Sequence, residues 1–163
     1  MNDLHIRRAT KNDLESICQI ENGSFPEPYP RALMVRLLRD HPTGFFVAET
    51  SSGRVVGYCV CSKKGKLAHL ISIGVLLEYR RRKVATSLIQ ELFIQFSSRI
   101  RELWLEVNTA NEEAVRFYEG FGFRRVMIIE NYYSNGSPAL RMRLALDQAA
   151  KEGAAATRRK WIL

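Results

Sequence analysis

Residues 44–77 hold three apolar, β-rich runs, GFFVAET, VVGYCVCS and LAHLISIGVLL, separated only by SSGR and KKGK. Short runs rich in Val, Ile and aromatic residues read as strands. Connections this brief, each with a glycine, leave room only for hairpins, so the segment is an antiparallel meander. Strands this apolar need elements to cover their faces, and the flanking sequence supplies them. Val84, Ala85, Leu88, Ile89, Leu92, Phe93 and Phe96 recur at helical spacing directly after the third run, and ELWLEV then returns as a strand. That step reads as a parallel crossover inside a mixed sheet.

Upstream, LHIRRA reads as a first strand, and Thr10 with Asp13 opens a helix carrying Leu14, Ile17, Cys18 and Glu21. FPEPYP, with prolines at alternate positions, is an extended loop. Pro30 suits the first residue of a second helix, whose apolar face is Leu33, Met34, Leu37 and Leu38 and which stops at His41-Pro42. Downstream, Thr109 and Glu112 form a T-x-x-E capping box for a short helix ended by Gly120. FRRVMIIENYY, the turn SNGS and ALRMRLAL close the core as a hairpin. In the last run Leu140, Met142, Leu144 and Leu146 alternate with Arg141, Arg143 and Ala145, so one face is buried. The order β-αα-βββ-α-β-α-ββ predicts an α/β (α+β) fold, a mixed and mostly antiparallel sheet with flanking helices, in a single domain over 1–146. Residues 147–163, DQAAKEGAAATRRKWIL, turn Ala-rich and basic and read as an appended tail.

A chain of 163 residues can bury a core without disulfides or metal. Cys18, Cys59 and Cys61 are odd in number and form no CxxC, which suits a reducing cytosol. His5, His41 and His69 have no zinc-like spacing to any cysteine or acid. No apolar run approaches the roughly 18 residues of a membrane span, and MNDLHIRRAT has no apolar signal region. The expectation is a cytoplasmic protein with no metal and no membrane contact. The net charge of +8 is the informative bulk number. It fits a nucleic acid, an acidic membrane surface, an anionic cofactor or a basic solvated face.

Much of that charge sits in YRRRK, residues 79–83, where strand turns into helix. A helix N-terminus carries partial positive charge and unpaired N–H groups, so cations there clash unless an anion is bound. Neither GxxxxGK[ST] nor a strand-to-helix GxGxxG occurs, which disfavours P-loop and Rossmann sites. Gly74 interrupts the strand just before the turn, a sign of a bulge or of another backbone approaching closely. This strand–basic turn–helix unit resembles the acetyl-CoA site of the Gcn5-related N-acetyltransferase (GNAT) superfamily, and the likeness extends over residues 4–146. Within it, AHLISIGVLLEYRRRKVATSL, LEVNTANEEAVRFYEGFGF and NYYSNG resemble the RimI and archaeal Ard1-type protein N-terminal acetyltransferases. The resemblance implies a GNAT fold with splayed central strands, acetyl-CoA as co-substrate without metal, and a monomer or homodimer. The acceptors it implies are protein or peptide N-termini, ribosomal and nascent chains included.

Carried over by residue, the N–H groups of Arg81, Arg82, Lys83, Val84, Ala85 and Thr86 cradle the pyrophosphate. Lys83 stands where the family usually has Gly; as a helical residue it still offers its N–H. Ile73, Gly74 and Val75 line the pantetheine arm, and a strand N–H serves as oxyanion donor. Glu106 shares one side of its strand with Trp104. From the residues alone it reads as a solvent-facing glutamate; in RimI-like enzymes the matching glutamate is the general base, acting through water. Tyr118 matches the tyrosine that protonates the coenzyme A thiolate. Asn111 matches an asparagine that contacts the cofactor, and reads equally as a polar first-turn residue. Glu27 and Tyr29 hold the acceptor's N-terminus, with Glu27 a further catalytic candidate. His69 falls where some relatives carry a catalytic tyrosine, and also reads as a satisfied histidine near a strand start. Tyr132 and Tyr133 contact the peptide backbone.

An α-amine loses its proton at a pKa of roughly 7.7–8.0 against about 10.4 for lysine, so deprotonation near neutrality costs roughly 3 kcal/mol less. One carboxylate acting through water suits that task. Two rival readings remain at this stage. The first is a GNAT enzyme acting on lysine side chains or small-molecule amines, which +8 disfavours for polycationic acceptors. The second is a nucleic-acid-binding module using YRRRK. It calls for aromatics interleaved with basic residues on one sheet face, whereas the aromatics here mostly sit in apolar periodic positions, although the basic tail could bind RNA or a ribosome weakly.

Overall fold

The computed structural model describes residues 4–96 and 98–146; the tail expected over 147–163 lies outside the described residues. The elements are β1 (Leu4–Arg8), α1 (Leu14–Ser24), α2 (Arg31–Asp40), β2 (Phe45–Thr50), β3 (Val55–Lys64), β4 (Leu67–Val75), α3 (Val84–Phe96), β5 (Glu102–Asn108), α4 (Glu112–Gly120), β6 (Arg124–Ile129) and β7 (Ala139–Ala145). This is the element order expected from the sequence. The seven strands hydrogen-bond in the order β1-β2-β3-β4-β5-β7-β6. The β1–β2, β2–β3, β5–β7 and β6–β7 ladders are antiparallel. β4 and β5 pair in parallel over Leu67–Glu102, Ala68–Leu103 and His69–Trp104, as the crossover demands. Among the described residues no helix is long and apolar enough to cross a membrane.

Two compact units share these elements: the chain up to Lys63 with Leu70–Phe96, and Lys64–His69 with the chain from Ser97 onward. In the first, β2 and β3 are buried on both faces, which is why they read as unbroken apolar runs rather than alternating ones. Phe45, Val47, Tyr58 and Val60 pack with Leu14, Ile17, Ile20, Met34 and Leu37 of α1 and α2. On the other face α3 presses so close to β3 that a Cβ on Gly57 would meet Val84 Cγ1 at 2.7 Å and Leu88 Cδ1 at 3.3 Å. In the second unit β5 alternates as a half-covered strand does: Leu103, Leu105 and Val107 are buried, while Glu102, Trp104 and Glu106 are partly exposed. Register places Leu105 opposite Met142 and Val107 opposite Leu140, completing its core.

Several local expectations need correction. Pro30 stands one residue before α2, in extended conformation, with its carbonyl accepting the Leu33 and Met34 N–H groups. The Thr10–Asp13 pair opens a 3-10 turn over Lys11–Asp13 ahead of α1, and the Asp13 carboxylate accepts from the Thr10 N–H at 2.7 Å. The Thr109–Glu112 capping box does not form. Thr109 donates its N–H to the Pro138 carbonyl, so it still belongs to the strand end, and Asn111 caps α4 by accepting from the Ala114 N–H at 3.1 Å. β6 ends at Ile129, because Asn131 adopts φ 51 and turns the chain; Tyr132 and Tyr133 therefore lie in the β6–β7 loop rather than on a strand.

Candidate functional site

The second unit builds its polar centre from β5 and the strands on either side. Register sets His69 of β4 beside Trp104 and Arg141 of β7 opposite Glu106. One Glu106 carboxylate oxygen lies 2.8 Å from His69 Nε2. The other accepts from Arg141 Nε at 3.2 Å and from its terminal nitrogen at 3.0 Å. The Glu106 side chain is only 6% exposed. Burial alone would raise its carboxyl; the hydrogen bonds from His69 and Arg141 outweigh it and hold the group below the ordinary carboxylate range. Trp104 fixes both partners. The His69 ring stacks on the indole at 3.7 Å between centroids and 3° between planes, and the Arg141 guanidinium lies 4.9 Å from the indole centroid. A carboxylate with a histidine on one oxygen and an arginine on the other is an acid–base pair held rigid by its neighbours.

The same unit carries the other expected residues of this half. Tyr118, on α4, is buried and packs edge-on against Phe123 at 5.7 Å. Asn111 is exposed at the start of α4, with its side-chain oxygen committed to the cap. Tyr132 and Tyr133 sit edge to face at 5.0 Å. The loop that carries them is closed by bonds from Tyr133 N–H to the Ser137 carbonyl and from Gly136 N–H to the Tyr133 carbonyl.

The first unit holds the remaining candidates. Ile73, Gly74 and Val75 end β4. A Cβ on Gly74 would meet Tyr58 Cε1 at 2.8 Å, Ile20 Cγ2 at 3.1 Å and Ser24 Oγ at 3.3 Å, so this strand lies against α1 and β3 with no room for a side chain. The basic turn follows, anchored by Arg80 Nε on the Val75 carbonyl at 3.2 Å. Arg81 and Lys83 both take left-handed backbone, φ 59 and φ 62, and the helix starts after them at Val84. Lys83 is therefore not helical, contrary to the sequence reading. Alternation of left-handed with ordinary residues curls successive N–H groups inward into an anion-binding concavity, and the start of α3 adds its own unpaired donors. The residues from Arg81 to Thr86 thus fit a diphosphate on backbone geometry.

Lys83 bears the cost of that geometry, since left-handed backbone disfavours any residue with a Cβ. Lys83→Gly is expected to stabilise the protein by about 0.5–1 kcal/mol. Urea unfolding measures it. A loss of stability would show that the lysine side chain contributes more than the strained backbone costs.

Sequence reasoning missed two residues. Glu21 of α1 is 2% exposed. It accepts the Tyr29 N–H at 2.8 Å and, on its other oxygen, the Tyr58 hydroxyl, which also contacts Ser72 Oγ at 2.8 Å. Burial, then the Glu21 charge, push the Tyr58 phenol up, so it stays a donor. Glu21 thereby ties the exposed Glu27–Tyr29 loop to the strand beneath it. Its signal was available: a glutamate one residue after Ile20, inside an apolar helical stripe. Arg141 is the second, on the open face of β7. A covalent acetyl-cysteine route finds no support, because burial raises the Cys59 thiol well above its ordinary value and suppresses the thiolate.

Comparison with known proteins points the same way. The family model described as "Acetyltransferase (GNAT) family" matches residues 14–123. An N-alpha-acetyltransferase of Sulfurisphaera tokodaii is 32% identical over 157 residues, covering 86% of this chain and 92% of its own. A putative ribosomal protein bS18-alanine N-acetyltransferase of Bacillus subtilis is 26% identical, covering 88% of this chain and 96% of its own. The crystal structure of Ard1 from Thermoplasma volcanium superposes with a TM-score of 0.84 at 32% identity, over 89% of this chain and 99% of that one.

Proposed function

Because the chain belongs to the GNAT family of acetyltransferases, we propose that it acetylates the α-amine of protein N-termini, with acetyl-CoA as donor and the Glu106–His69 pair as proton acceptor. The proposed catalytic domain is residues 1–146, with 147–163 appended to it. The observation that carries the reading is the 2.8 Å contact between Glu106 and His69, half-buried and locked by Trp104 and Arg141. Acetyl-CoA supplies the thioester whose acetyl carbon the amine attacks. In the first unit, backbone N–H groups of Arg81–Thr86 hold the diphosphate, and the Ile73–Val75 strand pairs with the amide-bearing arm. The Glu27–Tyr29 loop and the Tyr132–Tyr133 loop hold the acceptor's first residues, and Asn111 offers its amide to the donor. The acceptor ammonium passes its proton through water to the Glu106–His69 pair. As the new C–N bond forms and the C–S bond breaks, Tyr118 gives its phenolic proton to the departing sulfur, and the second proton shed by the amide nitrogen restores the tyrosine, so the products are amide, thiol and the one proton held by the pair. Acceptors include ribosomal proteins, in line with the bS18-directed relative, and the enzyme works in the cytoplasm.

Labelled acetyl-CoA incubated with short peptides of varied first residue, each with its α-amine free or blocked, tests this. Product is expected on free α-amines, at least 100-fold above the blocked forms. Equal transfer to blocked peptides through lysine would make the chain a side-chain or small-amine acetyltransferase instead.

A further inference from the structure

We propose that Glu21 is a positioning residue for the acceptor: its buried carboxylate sets the path of the loop that carries Glu27 and Tyr29, a role that fold stability does not explain. Pro26, Pro28 and Pro30 have no N–H, so within residues 25–30 only Phe25, Glu27 and Tyr29 can donate from the backbone. Glu21 takes two of these three donors. Its carbonyl accepts the Phe25 N–H at 3.2 Å, and its carboxylate accepts the Tyr29 N–H at 2.8 Å, eight residues further along the chain. Donors so sparse cannot build a strand ladder, and all six residues of the segment are exposed. A side-chain tether is then what fixes where the middle of the loop lies.

The tether is anchored below the loop in the sheet of the same unit. The second carboxylate oxygen accepts the Tyr58 hydroxyl, and Ser72 Oγ lies 2.8 Å from that hydroxyl and 3.5 Å from the same oxygen. Tyr58 on β3, Ser72 on β4 and Glu21 are all buried. Glu21 follows Ile17 by four residues and Leu14 by seven, both buried, where the stripe of α1 calls for an apolar side chain. A carboxylate at that place gives up its hydration, and its hydrogen bonds do little more than offset the loss. Apolar groups of the same shape in place of every partner would be close to neutral or stabilising. Stability alone therefore gives no reason for a glutamate here. A loop set in advance does, because it spares the ordering cost when a peptide binds. What the loop holds is taken from the acceptor reading above; the tether does not depend on it.

Glu21→Met/Tyr58→Phe/Ser72→Ala replaces the whole network with apolar groups, and its urea midpoint is expected at or above that of the unaltered chain. Its KM for a short peptide with a free α-amine is expected to rise about 10- to 100-fold, the equivalent of one hydrogen bond to a charged group. Both kcat and KM for acetyl-CoA should change less than about threefold, since neither depends on the tether. Glu21→Gln keeps an oxygen for the Tyr29 N–H and is expected to bring peptide KM back to within about fivefold of the parent. Hydrogen exchange reads the tether without turnover: the Tyr29 amide should exchange about 10- to 100-fold more slowly in the unaltered chain than in the triple variant. A triple variant as stable as the parent, with peptide KM unchanged, would make Glu21 a packing residue and overturn the proposal. So would a Glu21→Gln variant no better than the triple one, or a Tyr29 amide without protection in the unaltered chain. That last measurement stands even if the triple variant does not fold. If the unaltered chain acetylates no peptide, the acceptor reading falls, while exchange at Tyr29 still decides whether Glu21 holds the loop.

Discussion

Glu106→Gln is expected to lower kcat for acetyl transfer to a peptide α-amine by about 10²–10⁴, the range over which a positioned base acts, with KM for both substrates changed less than threefold. Glutamine keeps the shape and one oxygen acceptor but not the charge that draws a proton toward His69. A fall of less than fivefold would remove Glu106 from the chemistry. The pH profile gives a sharper readout. His69 and Arg141 hold the Glu106 carboxyl below the ordinary carboxylate range against the opposing effect of burial, so it stays ionised through the neutral range. The acid limb near neutrality then belongs to the acceptor amine, whose pKa is roughly 7.7–8.0, and Glu106 adds a second fall only at lower pH. Arg141→Met removes one of the two restraints and leaves burial, so the carboxyl rises and that second fall moves to higher pH. Stability follows the same sign. The folded pKa lies below the unfolded one, so Glu106 contributes stability above about pH 4.3 that is lost as pH falls through the folded value. An acid limb unmoved by Arg141→Met would show that the arginine does not tune the base.

The meander was legible because β2 and β3 are covered on both faces, which leaves a run of apolar residues that no helix of that length explains. The crossover to β5 followed from the spacing of Leu88, Ile89, Leu92 and Phe96, all buried in α3. Cap chemistry was harder. Thr109, Asn111 and Glu112 all offer capping groups, and only the backbone path, with Thr109 still bonded to Pro138, decides for Asn111. Lys83 was read as helical because nothing in a lysine announces φ 62; a glycine there would have. The candidate acid–base pair was half visible. Alternation put Glu106 beside Trp104, but its partners depend on pairings across 37 and 35 positions of sequence, which local pattern does not contain. His69 could therefore be read as an ordinary strand-start histidine until register placed it on Glu106. Glu21 shows the converse: a carboxylate in an apolar stripe asks for buried donors, and Tyr29, Tyr58 and Ser72 supply them.

Gly74→Ala is expected to destabilise the first unit by about 1–3 kcal/mol. The added Cβ would sit 2.8 Å from Tyr58 Cε1. A flexible neighbour would yield, but Tyr58 is fully buried, with its hydroxyl tied to Glu21 and Ser72. Moving the ring breaks bonds to a buried carboxylate whose other oxygen holds the Tyr29 N–H. The strain therefore reaches the acceptor loop as well as the strand proposed to carry the donor, and KM for acetyl-CoA and for peptide should both rise. Gly23→Ala is the matched control. It lies within α1 with nothing inside 4 Å of a Cβ, so alanine there should stabilise by about 0.5–1 kcal/mol through helix propensity. Urea midpoints of the two variants, read beside their kinetics, separate the cases. If Gly74→Ala is as stable as the parent, β4 has slack against Tyr58, and the close approach at Gly74 does not constrain the fold. If it is destabilised with both KM values unchanged, the glycine serves packing alone, and Ile73–Val75 does not carry the donor.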